Sequence, residues 1–163
     1  MQRFFINEQG YLLGSYVGPA AHPFGAAALE LDHGPTDGRM RWDGSIWCLD
    51  KLDLLAAAAD KRWRVETAGK VVGGVRYLTD RESRGIMRDA QELAEVTGQS
   101  VRWKAPGGHV TLTAQDIQNV RLQLGAFVTA CFVAEETIQS SIDLGQITTV
   151  EQVEAWEGWP SND

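Results

Sequence analysis

Residues 113–144 read TAQDIQNVRLQLGAFVTACFVAEETIQSSIDL. Apolar side chains recur at Ile117, Val120, Leu124, Phe127, Cys131, Ala134, Ile138 and Ile142, in steps of three and four. That spacing is one face of an amphipathic helix. At about 1.5 Å per residue the helix would span about 45 Å, long for a domain of this size. Thr113 is placed to cap its start, with Asp116 reaching back in a weak form of the capping box. Gly145 is placed to end it. Gly125, inside, is a local conflict worth about 1 kcal/mol against alanine.

Working outward, the segment before this helix reads as helix and strand in alternation. Leu52, Leu55, Ala59 and Trp63 define a helical stripe over residues 49–69. Residues 71–78 read as one strand, with Val71, Gly73, Val75 and Tyr77 on one side. Thr79-Asp80-Arg81-Glu82 then matches a capping box, with Ile86, Met87, Ala90, Leu93 and Ala94 behind it. Residues 101–104 and 109–112 flank Ala105-Pro106-Gly107-Gly108 as a hairpin. After the long helix, Thr148 to Glu151 is a further capping box before a short helix.

The first fifty residues have a different character. Strand candidates at Arg3 to Ile6, Tyr11 to Val17 and Ala27 to Leu31 are separated by turn residues, and Asp43-Gly44 signals a hairpin. Aliphatic residues are too few there for an independent core. The expected fold class is therefore α+β, with a β-rich N-terminal segment (1–48) before a compact αβαββαα domain (49–158) carrying one long C-terminal helix. Residues 159–163 are expected to be a loose tail.

The 163 residues are 44% apolar and 23% charged, which suits a globular chain with a real core. No uninterrupted run of 18 apolar residues occurs, so no membrane span is expected. The start, MQRFFINEQG, lacks the apolar stretch of a secretory signal. The cysteines, Cys48 and Cys131, are two and far apart, so free thiols in a reducing compartment are expected. The net charge of -7 is concentrated at one end. After Arg121 there is no lysine or arginine, while Glu135, Glu136, Asp143, Glu151, Glu154, Glu157 and Asp163 follow. Such an end repels nucleic-acid phosphates. It is either a solvated face or a contact for a basic partner.

A search for chemistry returns little. His22, His33 and His109 show no metal-ligand spacing, and no GxSxG or GxGxxG is present. Cys131, on the apolar stripe, reads as a buried small hydrophobe. Asp32, Asp37, Asp43 and Asp50 do not follow a calcium-loop spacing and read as turn residues. Asp32 and Asp37 are the pair that a glycosidase reading would use. No catalytic residue, cofactor or metal is expected. Six tryptophans are the remaining signal. Trp42 and Trp47 flank the Asp43-Gly44 hairpin; Trp156 and Trp159, beside the acidic end, are either internal anchors or a contact surface.

Several short motifs stand in a telling order. Lys61-Arg62-Trp63-Arg64 with Gly69, then Val71 to Tyr77, Thr79-Asp80-Arg81-Glu82-Ser83, Trp103-Lys104, Gly107-Gly108, Leu112-Thr113-Ala114 and Ala130-Cys131-Phe132 with Ala134-Glu135 occur in sequence. Over residues 55–157 the chain resembles an uncharacterised domain of bacteriophage tail proteins. The front is similar to tail-fibre assembly proteins through Phe4-Phe5-Ile6-Asn7, Gly10-Tyr11, Gly34-Pro35, Asp37-Gly38 and Trp42-Asp43-Gly44 to Trp47. The resemblance implies a chaperone that binds the tail fibre in the host cytoplasm and helps it fold or trimerise, or else a structural component kept in the virion tail near the baseplate. It implies a protein partner, the fibre or another tail protein or a second copy, with no nucleic acid and no membrane. The partner-binding residues expected are Phe4, Phe5, Tyr11, Trp42, Trp47, Trp156 and Trp159.

Overall fold

A computed structural model describes residues 1–19 and 21–163. The chain is mixed α+β and divides into two compact units, residues 1–57 with 141–153, and residues 58–140 with 154–163. The sequence boundary at residue 48 is thus replaced by a discontinuous one. Residues 141–153 bring the buried Ile142, Ile147 and Val153 to a β-rich unit that is poor in aliphatics of its own.

In the β-rich unit β1 (Gln2–Ile6) is the central strand of three, between β2 (Leu12–Val17) and β3 (Leu29–Leu31). Both pairings are antiparallel, and the β1–β2 register shifts between Phe5 and Ile6. A separate hairpin joins β4 (Met40–Trp42) to β5 (Trp47–Leu49), with Trp42 opposite Trp47. Asp43 organises its turn, its Oδ1 accepting from the backbone of Ser45 and Ile46 at 2.8 Å. Gly10 ties the two sheets together. Its φ is +87°, and a Cβ there would stand 2.1 Å from the Trp42 carbonyl oxygen. That close approach allows Trp42 N–H to donate to the Gly10 carbonyl at 2.9 Å.

Four helices occur among the described residues: α1 (Lys51–Thr67), α2 (Arg81–Thr97), α3 (Ala114–Asp143) and α4 (Val150–Ala155). The expected spine is α3, and all eight residues of its apolar stripe are buried. Thr113 and Asp116 cap it reciprocally, and Gly145 closes it at φ +70°. By length and mean hydropathy α3 is also apolar enough to cross a bilayer, although it has no uninterrupted apolar run. In the second unit its first half meets Tyr77, Met87, Ala94 and Leu112 in one core with Ile117, Val120 and Leu124. Burying each such large side chain contributes roughly 1.5–3 kcal/mol.

Three local expectations change. Residues 71–78 form a hairpin, β6 (Lys70–Val72) and β7 (Val75–Tyr77), and not one strand. Gly73 and Gly74, at φ +59° and +79°, are its two-residue turn. Residues 49–158 therefore run αββαββαα, the last hairpin being β8 (Val101–Ala105) with β9 (Gly108–Leu112). Two caps move by one residue: Asp80 caps α2 through Ser83 N–H, and Thr149 caps α4 with Gln152 reaching back. Thr79 instead turns inward, fully buried, donating to the Glu66 carbonyl and accepting from Gly69 N–H. Finally, the end expected to be loose is tied down. Asn162 donates its side-chain amide to the carbonyls of Val65 and Gly69, and Val71 N–H donates to the Asn162 carbonyl.

Candidate functional site

The β-rich unit presents unused strand edges. Because β1 is flanked by β2 and β3, the outer edges of those two strands have no named strand beside them among the described residues. Apolar side chains stand exposed on these strands: Leu12, Leu13 and Val17 on β2, and Leu29 on β3, the last two 69% and 57% exposed. An edge with exposed apolar residues is a ready template for another strand.

The residues expected to bind a partner divide by environment. Phe5 is fully buried, stacked on the His22 ring at 4.0 Å and beside Phe24 at 5.2 Å, so it offers no surface and is a core residue. Phe4 is half-buried and covers Gly34. Tyr11 is partly exposed, its hydroxyl donating to Asp50 at 2.5 Å. Trp42 and Trp47 are half-buried and meet edge-to-face at 5.7 Å, with His33 packed on Trp42 at 5.3 Å. A bridge between Tyr11 and Arg41 brings Tyr11 next to this cluster. Trp156 and Trp159 belong to the other unit and pack edge-to-face on each other at 5.7 Å. Sequence reading missed Leu12, Leu13, Val17 and Leu29, because exposure along an edge depends on which strand ends up central.

The remaining groups are structural in their contacts. Cys131 is fully buried, and burial pushes its thiol up to about 11. Asp32 hydrogen-bonds His33, which lowers its pKa. Asp37 is held down to about 2 by hydrogen bonds from Arg39. Each carboxylate thus has its own neighbouring side-chain partner, His33 for Asp32 and Arg39 for Asp37. Among the described residues no three histidine, cysteine or carboxylate groups gather as metal ligands. In the second unit Arg62 bridges two carboxylates, donating to Glu135 at 2.8 Å and to Glu66, beneath the Phe132 ring. The acidic end is largely engaged within the chain. Asp143 pairs with Lys51, Glu154 with Lys61 and Arg64, Glu135 with Arg62, and Asp163 with Arg76.

Residues 50–156 match a family described as a domain of unknown function (DUF4376), well over half of the chain, and the chain belongs to that family. No curated protein and no solved structure matches it.

Proposed function

We propose that this chain is a non-catalytic assembly protein of a bacteriophage tail, which binds the tail fibre and helps its chains fold or trimerise. The exposed, apolar edge of β2 carries the reading. An unassembled fibre chain exposes unpaired strands, and these aggregate unless something pairs with them. Strand addition to β2 would supply backbone hydrogen bonds, while Leu12, Leu13 and Val17 would give side-chain grip. The partly exposed Tyr11, Trp42 and Trp47 extend the same surface with aromatic anchors. The resemblance of both parts of the sequence to phage tail proteins supplies the partner.

Co-expression with the fibre subunit tests this. The wild-type chain should yield soluble, trimeric fibre, and Val17→Lys, a charge on an already exposed edge position, should lose that effect while remaining folded. Fibre that is equally soluble with Val17→Lys and Leu13→Lys would refute edge pairing. Mass spectrometry of purified particles separates the two roles within this reading. Absence marks a chaperone, and stoichiometric presence marks a structural tail component.

A further inference from the structure

Four guanidinium groups converge on one opening of about 370 Å3 between α2 and α3: Arg81, Arg84 and Arg88 from α2, and Arg121 from α3. The three on α2 recur at steps of three and four and therefore share a face, an arrangement that costs a helix stability through like-charge repulsion. Gly85 and Gly125 line the same opening, and a Cβ at either would meet nothing within 4 Å. The room is space that these two positions leave unfilled.

The arginines are poorly neutralised, although the chain has 22 acids against 15 bases. Arg84 approaches Glu66 only to 3.9 Å, and that carboxylate is already held by Arg62. The Nε–H of Arg84 is buried without an acceptor, which costs about 1–3 kcal/mol. Arg88 pairs with its chain neighbour Asp89, at 3.4 Å, and with no other carboxylate among the described residues. Arg121 donates to the neutral amide of Gln91. Arg81 has no carboxylate partner among the described residues. Two guanidinium groups therefore face the opening with no carboxylate bound to either.

We infer that this opening binds a small organic phosphate. A phosphomonoester carries about two negative charges at neutral pH, matching Arg81 and Arg121. Its oxygens suit the planar donor fork of arginine. The space left at Gly85 and Gly125, beside the aliphatic stems of the arginines, gives the organic part room. The inference stands apart from fibre binding, since it concerns the other unit.

Isothermal titration of the full chain with phenyl phosphate, inorganic phosphate and benzoate tests it. Phenyl phosphate should bind one to one and tighter than either of the others. Arg81→Gln and Arg121→Gln should each weaken it about ten-fold or more, the loss of a charge-assisted contact. Arg81 is exposed, so its substitution should leave the thermal midpoint unchanged and decides the matter if Arg121→Gln does not fold. Arg102→Gln, an exposed cation outside the opening, should leave binding unchanged. No saturable binding, equal affinity for benzoate, or equal weakening by Arg102→Gln would overturn the inference.

Discussion

The two units reach a defined structure by different means. In the second, one helix face does most of the specifying: Ile117, Val120 and Leu124 on α3 close against β7, α2 and β9 in a single cluster. In the β-rich unit the buried apolar residues, among them Phe5, Ile6, Met40, Leu49, Leu54 and Ile147, come from several short segments. Its strands take their positions from particular contacts, Phe5 against His22, Asn7 and Asp43 in their turns, and Gly10 against the Trp42 backbone. The first design distributes its stability over many interchangeable apolar contacts. The β-rich unit adds close approaches, such as Gly10 against the Trp42 carbonyl, that leave no room for a Cβ. Among the described residues it also leaves the outer edges of β2 and β3 without a named strand beside them.

The largest expected effect is on the helical side of this contrast. Leu124→Ala removes a side chain of this cluster that is 1% exposed, and should destabilise the chain by about 3–4 kcal/mol. Leu122→Ala, two residues away on the same helix and 67% exposed, should cost less than about 0.5 kcal/mol. Urea unfolding measures both. Similar losses for the two would show that α3 is not the organising element and would erase the contrast.

Gly10→Ala probes the other side and should cost about 2 kcal/mol or more. A left-handed φ alone costs alanine roughly 1–2 kcal/mol, and the new Cβ would also collide with a backbone oxygen. Hydrogen exchange should quicken at the Trp42 amide, which donates to Gly10, while the amides of α2 keep their protection. Unchanged exchange at Trp42 would mean that the unit does not depend on this approach.

This contrast also decides what could be read beforehand. The α3 stripe was fully legible, because burial there follows a repeating apolar period. The same reasoning misjudged α1. Leu52 and Trp63, taken as its inward stripe, are 79% and 57% exposed, while Leu54, Ala58 and Glu66 are buried. A hydrophobic period cannot register an inward ion pair, and Arg62 with Glu66 and Glu135 occupies that position. On α2, Ile86 and Leu93 are likewise exposed, with Gln91 taking an inward place through Arg121. The candidate site fared unevenly for a related reason. The aromatic residues are named from sequence as partner contacts, but whether Phe5 is core or contact depends on β1 being central, which local sequence does not encode. The arginine spacing on α2 lies in the sequence unread, because only α3 alongside brings Arg121 to the same opening.

The smallest effect concerns the shifted caps. If Asp80, and not Thr79, caps α2, Asp80→Ala should cost about 1 kcal/mol at neutral pH. The hydrogen bonds from Ser83 lower the Asp80 pKa below its ordinary 3.8, so its contribution is present above that value and is lost as the pH falls through the lower folded-state value. The gap between wild type and Asp80→Ala should therefore be constant from neutrality down to about pH 5, and narrow below about pH 4 as the carboxylate protonates. Asp80→Asn, whose amide oxygen still accepts from Ser83 N–H, should retain most of the stability and show little of the acid dependence. A gap that persists unchanged into acid would place the cap's value in packing and not in the charged hydrogen bond.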